Sequence, residues 1–193
     1  FDAALRIDPT NPAALVGKAG ILIQRKEPEK DLRQLSLVSG TDAASPEVLY
    51  NKALAMYQMG LTDDAGTDLG TYAREHPNDA EAQNALGVVM LRAGNYASAK
   101  AHLDRAIALR PEQGEYYYNR ANVLKEQKEF KAAIDDYTRA VAFIPDLAGA
   151  YINRGDVRFL LRETEGACQD LKKACELGEC DRLEKYEDAG RCR

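Results

Sequence analysis

The sequence predicts an all-α fold, a solenoid of antiparallel helix pairs built on a repeated unit of about 34 residues. Three observations lead there: small residues recur at a fixed spacing, prolines mark the joins, and apolar residues within each unit fall at three- and four-residue steps. One small-residue series runs Ala19, Ala53, Gly87, Ala121 and Gly155. A second runs Ala65, Ala99, Ala133 and Ala167, with Asp31 the misfit at the equivalent earlier place. A third, Ala106, Ala140 and Ala174, follows Tyr72 and Val38, and Pro9, Pro77, Pro111 and Pro145 close units.

Taken in order, residues 1–11 carry Phe1, Ala4, Ile7 and Pro9 in the places that end a unit, and so read as the second-helix remnant of a preceding repeat. The chain then begins halfway through a repeat, which implies a piece of a longer protein or a processed product. Residues 12–45 form a degenerate repeat. Arg25-Lys26-Glu27-Pro28 fills its turn, Asp31 replaces a small residue, and Val38-Ser39-Gly40-Thr41-Asp42 lacks the closing proline. Two helices are still expected there, the second shorter and less tightly packed. Residues 46–79, 80–113, 114–147 and 148–179 are further repeats, and 80–113 is the most regular.

In that copy Leu86, Gly87, Met90 and Leu91 line one face of a first helix. Gly94-Asn95 ends it, the glycine being able to take the left-handed conformation. Tyr96, Ala99, Leu103, Ala106 and Ile107 form the stripe of a second helix, and Pro111, lacking an amide proton, prevents continuation. Residues 180–193 supply a C-terminal capping helix and tail, with Leu183 and Tyr186 as apolar points among charges and Gly190 as the stop. A stack of repeats needs such a polar-faced end to cover its last apolar surface.

The order Leu86-Gly87, Gly94-Asn95-Tyr96, Ala99, Leu103, Ala106 and Pro111 resembles the tetratricopeptide repeat signature. The next unit repeats it with Tyr117, Asn119, Ala121, Phe130, Ala133, Tyr137, Ala140 and Pro145. The resemblance runs from Phe1 to about Leu177 and implies a right-handed superhelical α-solenoid. The tryptophan common early in the family's first helix is absent: Tyr117 and Tyr151 take its place, with Leu15 and Leu49 in earlier copies.

The same resemblance implies that first helices of successive repeats line a concave groove for a peptide or partner helix. Carried onto this chain, the groove-facing candidates are Tyr50, Leu54 and Tyr57, then Asn84, Val88 and Leu91, then Tyr118, Asn122 and Lys125, and finally Ile152, Asp156 and Phe159. Rings would bury area there while asparagines bond to backbone amides. The alternative is that the rings pack within the stack and that Asn51, Asn119 and Asn153, which recur at one site, bond between neighbouring helices. Some family members grip a terminal carboxylate with lysines, arginines and asparagines. Here Val16, Tyr50, Asn84, Tyr118 and Ile152 hold the leading lysine place, Asn122 alone matches a clamp asparagine, and Arg120 and Arg154 stand one residue out of register. That clamp is not met.

Cysteines occur at 168, 175, 180 and 192 and nowhere else in the 193 residues. Cys168 and Cys175, seven apart, share one face of the last repeat's second helix. If the capping helix folds back antiparallel, Cys175 meets Cys180 near the turn and Cys168 meets Cys192 further along. Two disulfides would then staple the cap. A zinc site is the rival, although paired Cys-x-x-Cys knuckles and a nearby histidine are lacking, and four reduced thiols are the plain alternative. The run Ala167-Cys168-Gln169-Asp170-Leu171-Lys172-Lys173-Ala174, with a cysteine near the terminus, is also similar to tails of envelope-associated bacterial tetratricopeptide proteins. That likeness implies an extracytoplasmic, oxidising location, periplasm or cell envelope, with the cytoplasm as the alternative.

With 26 basic and 31 acidic side chains the net charge is −5, so the basic footprint of nucleic-acid binding is missing. No polybasic cluster would hold the chain to an anionic membrane, and no apolar run is long enough to insert in one. Chemistry has little foothold. His76, at a helix end, and His102, on the outer side of a second helix, read as surface residues. Asp63-Asp64 and Asp135-Asp136 read as helix-start or solvated acids, with no opposing carboxylate placed to make an acid/base pair. No phosphate-cradling loop occurs. The expectation is a non-catalytic protein-interaction scaffold without cofactor or metal. Two other readings stand beside it: an oligomerisation or structural module that self-associates, and the non-catalytic tail of a larger enzyme or sensor.

Overall fold

A computed structural model describes residues 2–7, 11, 14–15, 18, 28–37, 45–59 and 66–192. Among the described residues every regular element is an α-helix. The chain divides into two compact units, Phe1–Leu109 and Arg110–Arg193.

The first unit contains α1 (Asp2–Ile7), α2 (Pro28–Leu35), α3 (Pro46–Gln58), α4 (Thr67–Glu75), α5 (Ala80–Arg92) and α6 (Tyr96–Leu109). The turn at 25–27, the tail at 38–42 and the acids Asp63-Asp64 lie outside the described residues. α5 starts where it does because Asp79 caps it: Oδ1 accepts from the amides of Glu81 at 3.0 Å and Ala82 at 3.2 Å. It stops at Gly94, whose φ is +77°, and the Asn95 amide donates back to the Met90 carbonyl at 2.8 Å.

α6 then lies close against α5 because Gly87 offers no side chain. A Cβ there would sit 2.6 Å from Leu103 Cγ and 3.2 Å from the Ala99 carbonyl. The core shared by α3, α4 and α5 is Leu49, Ala53, Leu69, Ala73, Ala82, Ala85, Leu86 and Val89. Alanines let the axes approach, and the leucines fill what remains.

The second unit contains α7 (Gly114–Glu126), α8 (Phe130–Phe143), α9 (Ala148–Leu160), α10 (Thr164–Glu176) and α11 (Asp181–Asp188). The close approach recurs in register: a Cβ on Gly155 would meet the Ala167 carbonyl and Leu171 Cδ2, both at 3.2 Å. The turns between paired helices place Lys128 and Arg162 at φ 62° and 63°, where the first unit has Gly94. Tyr117 and Tyr151, which replace the absent tryptophan, each reach back to the preceding loop. Their hydroxyls donate to the Pro111 carbonyl at 2.9 Å and the Pro145 carbonyl at 3.2 Å.

Within each hairpin of this unit an arginine pairs with a buried aspartate and joins the two helices. Arg120 donates through Nε and Nη2 to both oxygens of Asp136, at 2.6 and 2.8 Å. Arg154 does the same with Asp170, at 3.0 and 2.6 Å, while Arg158 Nη1 adds a third bond to that carboxylate at 2.7 Å. The sequence pattern suggests a solvated face for Asp136, but the residue is only 4% exposed. The reason is its bidentate partner, which removes the cost of burying a lone carboxylate.

The end of the chain carries two disulfides, Cys168–Cys192 and Cys175–Cys180. α11 folds back onto α10 between them. Tyr186 stands one full repeat beyond Ile152, so this short helix follows the register of a further first helix rather than an unrelated cap.

Candidate binding surface

The groove candidates fall into two sets, one per unit. In the first unit Tyr50 packs half-buried against the α3–α4–α5 core. Asn84, Val88 and Leu91 lie along α5, each half-buried. Leu54 and Tyr57 are on α3, and their side chains lie outside the described residues. These positions share one helical face because they recur at three- and four-residue steps.

In the second unit Tyr118, Asn122 and Lys125 line α7 in the same way, all half-buried. Here the polar contacts are well defined. Asn122 Oδ1 accepts from the Tyr137 hydroxyl at 2.6 Å and from Asn153 Nδ2 at 3.0 Å. Asn153 Nδ2 also donates to the Tyr118 hydroxyl at 3.3 Å. Tyr137 is fully buried, and desolvation pushes its phenol well above its ordinary value, so it stays protonated and donating. With its oxygen doubly held, the Asn122 amide is fixed in orientation. Its NH2 group has no protein partner among the described residues.

The rings and asparagines are therefore both stack and surface. Tyr118 approaches Tyr137 at 6.0 Å between ring centroids, and a Cβ on Gly149 would lie 3.2 Å from its hydroxyl. Asn153 bonds between α9 and α7, as the recurrence of asparagine at that site leads one to expect.

Ile152, Asp156 and Phe159 depart from the groove expectation. α11 lies on them. Phe159 stacks on Tyr186 at 4.1 Å with ring planes 17° apart. Asp156 accepts from the Tyr186 hydroxyl at 3.3 Å and pairs with Arg182 Nη2 at 3.1 Å. Ile152 packs against the cluster of Cys168, Leu171, Leu183 and Cys192. α11 thus reaches α9 through Tyr186 and Arg182, and Tyr186 stands one repeat beyond Ile152 in the sequence.

The histidines divide. His76 closes α4, its Nδ1 3.1 Å from the Tyr72 carbonyl and its ring stacked on Tyr72 at 4.2 Å. His102 is not the surface residue its position suggests. It is half-buried, Nδ1 lies 2.8 Å from Gln83 Oε1, and desolvation lowers its pKa. Gln83 in turn donates to the Ala73 carbonyl at 3.3 Å, which links α6 through α5 to α4. Among the described residues no group of three His, Cys, Asp or Glu side chains is arranged to hold a metal ion. Nor is any described helix long and apolar enough to cross a membrane.

The contacts most easily missed from the sequence are Arg120–Asp136 and Arg154–Asp170. Their signal is an arginine followed by an aspartate at a separation of 16, with the pair recurring one repeat later. In the most regular copy the equivalent residues are Leu86 and His102, and the latter bonds instead to Gln83.

Comparisons with known proteins agree with this architecture. The family described as tetratricopeptide repeat matches residues 50–99 and 89–148. The TPR repeat-containing thioredoxin TTL4 of Arabidopsis thaliana is 41% identical over 66 residues, 34% of this chain and 10% of that protein. The match thus spans about a tenth of that relative's length. Among solved structures, MamA (41-end) from Desulfovibrio magneticus RS-1 is similar with a TM-score of 0.63 at 21% identity, covering 92% of this chain and 97% of that one. YrrB, described as a TPR protein with an unusual peptide-binding site, gives 0.62 at 17% identity over 98% and 97%. Yeast Tom70 gives 0.78 at 16% identity, over 98% of this chain and 42% of its own.

Proposed function

This chain belongs to the tetratricopeptide repeat family, and from that premise we propose that it is a protein-interaction scaffold with no chemistry of its own, holding a peptide or partner helix on the first-helix face of its repeats. The candidate residues are Tyr50, Leu54, Tyr57, Asn84, Val88 and Leu91 on the first unit and, taken separately, Tyr118, Asn122 and Lys125 on the second. The observation that carries the reading is Asn122. A buried tyrosine and a neighbouring asparagine hold its oxygen, so its NH2 group is presented in a fixed direction without a protein partner among the described residues. A donor ordered before binding costs little to engage a peptide carbonyl. Tyr118 beside it supplies ring area, and Lys125 a cation one turn further on.

Asn122→Asp is the discriminating change, since it keeps an oxygen for Tyr137 and Asn153 but removes the donor. Peptides selected from a displayed library on the native chain should bind this variant at least ~10-fold more weakly, with melting unchanged. Equal affinity would place the ligand elsewhere.

We further propose an oxidising, extracytoplasmic setting, the periplasm or envelope of a bacterium; the two disulfides support it, and the cytoplasm is the alternative. A second reading, that this chain is the repeat portion of a larger protein, is favoured by TTL4, in which the matching stretch is a tenth of a protein named as a thioredoxin.

A further inference from the structure

α11 has eight residues, of which Leu183 alone is buried. A helix this short is marginal in water by itself. Its non-covalent hold on the second unit is small: Leu183 in a cluster with Leu171 and Ile152, the Tyr186 ring on Phe159, and Tyr186 and Arg182 on the Asp156 carboxylate. Both of its ends are bonded to α10. Cys180 is its N-cap and joins Cys175, while Cys192 lies past its last turn and joins Cys168. The residues it meets on α9 are Ile152, Asp156 and Phe159, the last segment of the groove.

We propose that α11 is a redox-locked plug: with both disulfides formed it shuts the Ile152–Asp156–Phe159 segment, and reduction by a dithiol opens that segment to a ligand carrying a basic residue four places before an aromatic one. The plug rests on the groove reading above. The ligand chemistry is that of the seated helix, in which Arg182 pairs with Asp156 and Tyr186 stacks on Phe159. A peptide lying along α7 would continue onto α9 only after the plug leaves.

The step is thiol–disulfide exchange. A thiolate of the dithiol attacks one sulfur, forms a mixed disulfide and releases a cysteine thiolate, which takes up a proton. The second thiol of the reductant then displaces the other cysteine. Each bond consumes two electrons and two protons and leaves two protein thiols and one oxidised dithiol.

Access orders the two bonds. Cys175 and Cys180 are half-buried, whereas Cys168 and Cys192 are 9% and 4% exposed. The hinge bond opens first and the inner bond holds the plug seated. Once the inner bond is reduced, the constraint of a loop spanning 24 residues is gone, which raises the undocked population roughly 100-fold.

Amide hydrogen exchange on the full chain tests this, with free thiols counted by intact mass. After complete reduction, segments 152–160 and 181–192 should exchange at least ~10-fold faster while 116–140 keeps its protection. The Cys168→Ser/Cys192→Ser double variant should behave likewise without reductant. A synthetic peptide of residues 179–193, serine replacing its cysteines, should restore protection to 152–160 when added to reduced protein. The same peptide with Arg182→Ala and Tyr186→Ala should not. Unchanged exchange at 152–160 with four thiols counted overturns the plug, as does loss of protection across 116–140, which would make the bonds supports of the whole unit. Failure of the native peptide to re-protect overturns the assigned ligand chemistry. Library selection and exchange report separately: absence of library binders would reject the scaffold reading and with it a ligand for the opened segment, whereas the exchange data alone decide whether the disulfides hold α11 over 152–160.

Discussion

Lys128 and Arg162 hold the left-handed backbone that Gly94 holds in the preceding copy, with φ of 62° and 63°. A side chain in that region costs roughly 1–2 kcal/mol, and glycine returns part of the gain through its freer unfolded chain. Lys128→Gly should therefore raise stability by about 0.5–1 kcal/mol in urea unfolding; a destabilised variant would mean that the Lys128 side chain carries a contact of greater worth. His102 gives a second residue-level expectation. Burial lowers its pKa below the ordinary value of 6.5, so the unfolded chain binds the proton more readily. Its contribution is present above 6.5 and is lost as pH falls toward and through the lowered folded value. Melting temperature should then drop more between pH 7.5 and 5.5 for the native chain than for His102→Asn, because the carboxylates common to both cancel. Parallel slopes would remove the assignment.

Between elements, the weight of a charge pair depends on where it sits. Lys100 and Asp104 lie 3.0 Å apart on α6 with side chains 38% and 40% exposed, and losing that pair should cost under ~1 kcal/mol. Arg154 and Asp170 are at the similar distance of 2.6 Å, but 10% and 4% exposed. Asp170→Ala strands the Arg154 cation between α9 and α10, so it should cost about 3–5 kcal/mol. Equal effects from Asp104→Ala and Asp170→Ala in denaturant titration would refute the distinction. The contrast also marks what the sequence makes legible. The hairpins are readable from Gly87, Ala99, Leu103 and Gly94-Asn95, because close packing and a left-handed turn admit few residue types. The ion pairs are not, because a charged residue at a core-facing place looks like a register error until its partner on the next helix is known. Arg154 beside a clamp position and Asp136 beside Asp135 are cases of this. The covering of Ile152, Asp156 and Phe159 is likewise hidden, since Tyr186 continues the groove series one repeat further on but within a helix too short to resemble a repeat.

At the scale of the whole chain, stability in a repeat protein is close to a sum of units and their nearest-neighbour contacts, and the contributions here are unevenly distributed. The second unit carries both bidentate arginine–aspartate pairs, the Tyr117 and Tyr151 ties to their loops, and both disulfides. Closing the Cys168–Cys192 loop alone contributes ~3 kcal/mol on the chain-entropy account. In the first unit α4 is nine residues long, and its Gly70 lines an open cleft of about 590 Å³ together with Leu86, Val89 and Met90. A Cβ on Gly70 would meet nothing within 4 Å. Apolar atoms lining such an open cleft stay in contact with water and gain less from burial than those of filled copies. Native-state hydrogen exchange should therefore find α4 opening well before α8, by ~10-fold or more in rate, with the oxidised second unit persisting after the first has unfolded in denaturant. Gly70→Ala, which adds a methyl group and helix propensity where there is room, should narrow that gap by about 1 kcal/mol. If α4 and α8 exchange together in one cooperative opening, stability is shared evenly after all, and the repeats fold as a single unit in spite of their unequal packing.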